Sequence, residues 1–238
     1  MMKFLEKLRG GNVLYYPGCL TKFVVKEVGE NYRKILRKIG IDFIELKDLE
    51  VCCGSPVLNA GYKEDAKKLA EKNFKIFKEH SVKKIITSCP ACFKTFSQEY
   101  PKLLKNWDIE VKHITQTISE AVKKGKIKPK KVEGKITYHD PCHLGRYANV
   151  YEEPREVIKL AGDFVEMEFN RENAFCCGGG GGLKSNFPEL SREISKERIK
   201  QAEEVKVNLL ITSCPLCYIC LKEASKKINV IEFSQLFE

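Results

Sequence analysis

Ile86-Thr87-Ser88-Cys89-Pro90-Ala91-Cys92 returns 125 residues later as Ile211-Thr212-Ser213-Cys214-Pro215-Leu216-Cys217. In each copy an apolar run stops at a Cys-Pro-x-Cys turn. The run reads as a strand. The proline stiffens the turn and offers no amide hydrogen, and Cys92 and Cys217 are expected to begin the helix that follows. Working outward, each copy belongs to a larger set. The first set is Cys19, the pair Cys52 and Cys53, then Cys89 and Cys92. The second is Cys142, the pair Cys176 and Cys177, then Cys214 and Cys217. Their spacings are C-x32-CCG-x35-C-x2-C and C-x33-CCG-x36-C-x2-C, so the chain is a tandem repeat. A looser echo links Glu110–Gln116 with Asn229–Gln235.

Strand-like and helix-like stretches alternate in both halves. Val13–Tyr16, Ile41–Leu46, Lys84–Thr87 and Ile109–Ile114 read as strands of the first half. Ile136–His139, Phe164–Phe169, Val207–Thr212 and Asn229–Phe233 take those places in the second. Between them, Ala66, Leu69, Ala70, Phe74 and Phe77 recur at helical spacing. Pro154 and Pro188 stand where first helical residues belong, and Gly40 and Gly162 where helices stop. This alternation predicts an α/β chain of two pseudo-symmetric repeats, each a small mainly parallel sheet flanked by helices. The expected boundaries are 1–122 for the first repeat, a Lys/Gly linker over 123–135, and 136–238 for the second. In parallel sheets the loops at the carboxyl ends of strands build the site. Cys19, Cys89, Cys142 and Cys214 each follow a predicted strand directly, and each Cys-Cys-Gly follows the second strand of its half.

Composition narrows the function. The chain has 238 residues, 43% hydrophobic and 31% charged, as in an ordinary soluble protein. No apolar run is long enough to cross a bilayer. The start, MMKFLEKLRGG, lacks a continuous apolar segment and a small-residue cleavage site, so a cytoplasmic location with reduced thiols is expected. The formal charge of +10 is spread along helices, with one dense run over 123–135. Nucleic-acid binding is therefore not expected, whereas an anionic substrate or acidic partner suits the charge. Phe4, Leu5 and Leu8 offer a short apolar stretch for a partner or a frayed surface helix.

Gathered thiolates hold soft metal, and four suffice for zinc or a cubane cluster. Five per set exceed either. The Cys-x-x-Cys units stand too far apart to be halves of one zinc ribbon, in which about 15–20 residues separate them. Adjacent cysteines on an extended strand point to opposite faces, so each Cys-Cys pair needs a sharp turn, which Gly54 and Gly178 permit. Such a pair fits an open cluster with several iron atoms better than one zinc ion. The alternative is that one cysteine of each pair is merely buried. Gly178–Gly182 reads as backbone kept bare beside the second pair, against the bulkier Gly54-Ser55-Pro56 of the first half. His139, His143 and Arg146 flank Cys142. A cation or proton donor there can stabilise or protonate a thiolate, so His143 and Arg146 are candidate catalytic residues. His80 and His113 draw no role, and Cys220 reads as a small buried residue.

This constellation resembles the CCG cysteine-rich domain family, which includes heterodisulfide reductase catalytic subunits and iron–sulfur subunits of lactate and glycolate oxidation. The stretches 138–146 and 171–178 look like the D-subunit type of heterodisulfide reductase. The resemblance covers nearly the whole chain. It implies a noncubane [4Fe-4S] cluster on each five-cysteine set, with zinc possible in one half, and an iron–sulfur oxidoreductase that reduces a small anionic disulfide to thiols. D-subunit relatives carry an N-terminal ferredoxin segment that has no counterpart here. Electrons are therefore expected from a ferredoxin-like or flavoprotein subunit. Two alternatives stand: an electron-transfer subunit of a lactate- or glycolate-type dehydrogenase, and a non-enzymatic zinc-binding protein.

Overall fold

The computed structural model describes residues 11–238; the apolar positions Phe4, Leu5 and Leu8 lie outside them. Two parallel sheets form the frame. The first has strands β1 (Asn12–Tyr16), β2 (Val82–Thr87) and β3 (Glu110–His113) in the order β1-β2-β3. The second has β4 (Lys135–His139), β5 (Asp163–Phe164), β6 (Leu209–Thr212) and β7 (Asn229–Glu232) in the order β5-β4-β6-β7. Every strand pair is parallel. Parallel neighbours need crossovers, and helices supply them. The interior strands are buried on both faces, as the run Leu209–Thr212 illustrates.

The second predicted strand of each half is shorter than its sequence implies. Ile41–Leu46 contributes one bridge, Leu14 to Ile44, and Phe164–Phe169 contributes only Phe164 to β5. Both are edge positions, where one neighbour alone supplies ladder bonds. In the second half the chain leaves the edge so that Glu166 reaches buried Arg155 and Met167 enters the core. With that bridge counted, the two halves have the same strand order.

Helix ends follow local chemistry. Helices Pro90–Lys94, Pro188–Glu204 and Pro215–Ala224 open on proline. Cys92 and Cys217 therefore lie at the third helical position, and Cys89 and Cys214 are the N-caps. Pro154 is likewise third, because its helix opens at Glu152 (Glu152–Ala161). Gly40, at φ +81°, follows helix Lys26–Lys38 in the left-handed geometry that ends helices. On helix Lys63–Glu79, Ala66, Ala70 and Phe77 are buried, and they share that face with Asn73.

One core spans the halves. Val28, Tyr32, Ile35 and Leu36 of helix 26–38 share an apolar cluster with Tyr138, Leu210, Phe233 and Leu236. The helix packs on the C-terminal 3-10 turn Phe233–Phe237, and helix Ile114–Lys123 packs on helix 152–161. A second cluster lies wholly in the first half, around Phe77, Phe96, Tyr100 and Trp107. Among the described residues no helix is long and apolar enough to cross a membrane.

Candidate metal centres

Three loops at the carboxyl ends of the first sheet bring the first five cysteines together. Gly18, at φ +79°, lets the loop after β1 lie on the second one: a Cβ there would stand 3.0 Å from Cys89 Cβ and 3.3 Å from Cys92 Sγ. Cys19 opens the short helix Cys19–Phe23. Cys92 Sγ donates to Cys53 Sγ at 3.4 Å. The Cys-Cys turn is held through its carbonyls, Cys52 O accepting from Asn73 Nδ2 (3.0 Å) and Cys53 O from the Tyr100 hydroxyl (3.1 Å). Gly54, at φ +87°, turns its amide back onto Cys52 Sγ.

Electrostatics expresses the same proximity. Hydrogen bonds from Cys52 and Cys92 hold the Cys53 thiol well below its ordinary range, and those two donors are pushed up in return. Cys92 also lowers Cys89. Burial raises Cys19, with the nearby Cys89 and Cys53 charges adding to it. A metal that takes thiolate ligands releases these protons on binding.

The second set repeats the arrangement. The neighbouring thiols of Cys142 and Cys177 lower Cys176, and those of Cys177 and Cys214 lower Cys217, Cys177 having one hydrogen to share among its neighbours. The five thiols thus run Cys142–Cys176–Cys177–Cys217–Cys214. Cys220 joins them as a sixth, since its hydrogen bond with Cys177 lowers its own thiol. Gly178, at φ +79°, turns its amide onto Cys176 Sγ at 3.3 Å. Of the glycine run, Gly178 and Gly179 are packed: a Cβ would meet Ser191 O at 2.4 Å in the first case and Cys220 Sγ at 2.8 Å in the second. At Gly180 and Gly181 a Cβ would meet nothing within 4 Å, and at Gly182 it would meet only the Asn186 side chain, at 3.1 Å.

The two sets lie close together. Cys89 of the first is near enough for its charge to raise Cys214 of the second. The loop after Cys142 packs on the first half, with Leu144 and Val150 against Phe93 and Gln98 Nε2 donating to Tyr147 O at 2.7 Å. His143 sits in this seam. Its Nδ1 is 3.4 Å from Cys142 Sγ, its ring stacks at a tilt on Tyr147, and burial followed by the Lys94 charge lowers its pKa. Arg146 points elsewhere: its guanidinium donates to the carbonyls of Ala174 (2.7 Å) and Glu172 (3.3 Å), bracing the loop that leads to Cys176.

Buried polar residues tie the sulfur-bearing loops together. Asp140 is bound bidentate by the fully buried Arg155 (2.6 and 2.8 Å) and accepts the Arg171 amide (2.9 Å), tying the Cys142 loop to the Cys176 loop. Ser191 and Ser195 donate to the carbonyls of Gly178 and Cys177. His139 and Arg198 are buried behind Cys217; a His139 ring nitrogen and the sulfurs of Cys177 and Cys217 all lie within 4.8 Å of one another. The repeat is the signal that leads to Arg198: it stands 125 residues after Asn73, the offset that separates Cys214 from Cys89.

Five converging thiols per half exceed the four ligands of a tetrahedral zinc ion. Soft sulfur donors gathered at a partly exposed rim fit an iron–sulfur cluster with more than one metal atom.

Comparison with known proteins gives the same motifs a context. A family profile described as a cysteine-rich domain, CCG, matches residues 13–97 and again 136–222. The chain is 36% identical over 213 residues to the D-subunit of dihydromethanophenazine:CoB–CoM heterodisulfide reductase from Methanosarcina acetivorans, covering 87% of this chain and 52% of that protein. It is 35% identical over 238 residues to EtfAB:quinone oxidoreductase of Syntrophomonas wolfei, covering 94% and 33%. The chain thus spans about half the length, or less, of these relatives. Among solved structures, aspartate racemase of Picrophilus torridus aligns over 95% of this chain and 91% of its own, with a TM-score of 0.45 and 11% identity.

Proposed function

The chain belongs to the CCG cysteine-rich domain family, and from that premise we propose that it is an iron–sulfur oxidoreductase module that reduces a disulfide to two thiols. The convergence of five cysteines in each half is the observation that carries this reading. Cys19, Cys52, Cys53, Cys89 and Cys92 would hold one cluster; Cys142, Cys176, Cys177, Cys214 and Cys217 would hold the other, both of the noncubane [4Fe-4S] kind. When bound, the two clusters supply one-electron carriers, so that together they deliver the two electrons a disulfide needs. The balance is one disulfide, two electrons and two protons to two thiols.

The residues of the seam have separate tasks in this proposal. His143, beside Cys142, relays a proton from solvent to the departing thiolate, taking it up only transiently because burial and the Lys94 charge disfavour the imidazolium. Arg146 acts through the carbonyls it braces and is a positioning residue. The excess of basic side chains favours an anionic disulfide. Electrons come from a ferredoxin-like or flavoprotein partner. The likeness to a heterodisulfide reductase supports the disulfide as substrate.

The likeness to EtfAB:quinone oxidoreductase favours a second reading, in which the module only relays electrons. Two measurements decide. Anaerobically purified protein should contain about eight iron and eight sulfide per chain. Given an artificial reductant, it should turn over a small anionic disulfide. Iron without disulfide turnover leaves the relay, about four iron with one zinc confines the redox work to one half, and zinc without iron ends the redox reading.

A further inference from the structure

Behind the second set stands a buried cation where the matching position of the first set holds a neutral residue. Arg198 is fully buried on helix 188–204. Its Nε donates to His139 Nδ1 at 3.1 Å, and its Nη1 to Phe169 O and Gln201 Oε1 at 2.8 and 2.7 Å. Its Nη2 is buried without a hydrogen-bond partner. No carboxylate among the described residues forms an ion pair with it; Asp140, whose charge it feels, is engaged by Arg155. A guanidinium stays protonated at physiological pH, so this charge is uncompensated unless something negative lies beside it. At the matching position of the first half stands Asn73, whose neutral amide goes to Cys52 O and the Tyr100 hydroxyl.

Arg198 also decides the tautomer of His139. Arginine can only donate, so Nδ1 must accept, and the neutral ring carries its proton on Nε2. That Nε2 is buried and unpartnered, and the ring lies with the Cys177 and Cys217 sulfurs. An imidazole in this state has no lone pair left for a metal. His139 is therefore an available N–H donor beside the two sulfurs, not a ligand. The first half has Tyr16 at the matching position, and its hydroxyl donates to Val51 O instead.

We propose that Arg198 and His139 act as a positioning pair that raises the reduction potential of the second-half centre above that of the first, so that an electron on the chain rests in the second half. Positive charge and hydrogen bonds to ligand sulfurs both favour the reduced state of such a centre. The redistribution moves one electron from the first half to the second, with no bond made and no proton transferred. The inference rests on the iron–sulfur reading above.

The test is a reductive titration of the full, anaerobically loaded chain with dithionite, followed by electron paramagnetic resonance, with iron counted in every sample. The wild type should show two midpoints. The second half should hold the electron at least tenfold more often than the first, a separation of at least 59 mV for one electron. Arg198→Gln should lower the higher midpoint by a comparable factor and leave the lower one in place; Arg198→Lys, which keeps the charge, should recover part of the shift. If Arg198→Gln does not fold, His139→Gln serves as the second variant, with the same midpoint lowered. Coincident wild-type midpoints, or a higher midpoint that neither Arg198→Gln nor His139→Gln moves, overturn this inference alone. A wild-type chain that takes up no iron overturns the functional reading as well, and the iron count tells the two failures apart.

Discussion

Single side chains around the cysteines divide into those that face the seam and those that hold its loops. His143 faces it. His143→Gln should keep the iron content and lower disulfide turnover by about a hundredfold or more, the usual worth of a proton donor; unchanged turnover would remove His143 from the chemistry. Asp140 holds the loops. Its carboxylate is the partner of a guanidinium with no exposed surface. Asp140→Asn leaves Arg155 with Glu166 as its one carboxylate partner and should cost about 3–5 kcal/mol, read as a lower denaturation midpoint. Asp140 lies in the motif stretch 138–146 but Arg155 lies outside it, and their pairing was not legible because a buried ion pair has no spacing rule in the sequence. The cysteines do have one, since a metal centre demands a fixed ligand type and count.

At the scale of elements, the glycine run separates into a packed part and an open part. Gly179→Ala places a methyl against Cys220 Sγ and Leu216 Cγ, each at 2.8 Å, and should destabilise by about 1–3 kcal/mol. Gly180→Ala meets nothing within 4 Å and should be neutral or stabilise by about 0.4–1 kcal/mol. Thermal midpoints of the two variants check this; equal midpoints would mean that the run is uniformly loose. The echo between Glu110–Gln116 and Asn229–Gln235 also finds its cause here. His113 and Glu232 are N-caps of the elements that follow β3 and β7. In each case the side chain accepts a backbone amide, and Gln116 or Gln235 accepts the amide of the cap. What looked like a faint resemblance is one capping box used twice, with His113 in a structural role.

For the molecule as a whole, the decisive feature is the core shared between halves. Tyr32, from the first half, donates to Glu232 Oε1 of the second at 2.6 Å, and the Ser234 amide donates to Oε2. Burial raises the Glu232 carboxyl from 4.5 to about 7. The sign follows from linkage: the folded state holds this proton more tightly than the unfolded chain. The stability it contributes is complete below about pH 4.5 and is lost as pH rises to about 7. The change is on the order of 3 kcal/mol. Wild-type stability in urea should therefore fall across that window more steeply than that of Glu232→Gln, and parallel profiles would show that Glu232 does not couple the halves to pH.

The amino-acid sequence by itself determined the duplication, the alternation of strand and helix, and the identity of the ten cysteines. These are local or periodic properties, and periodicity survives in one dimension. It overstated the two edge strands, because apolar composition does not say whether a second neighbour will supply ladder bonds. Only the tertiary structure decided that the two thiol sets meet at one seam, that the halves share a core, and that Arg198 and His139 stand behind the second set alone. Those facts depend on which faces of distant elements are brought together, and a buried polar group is recognised only once its partner is in place.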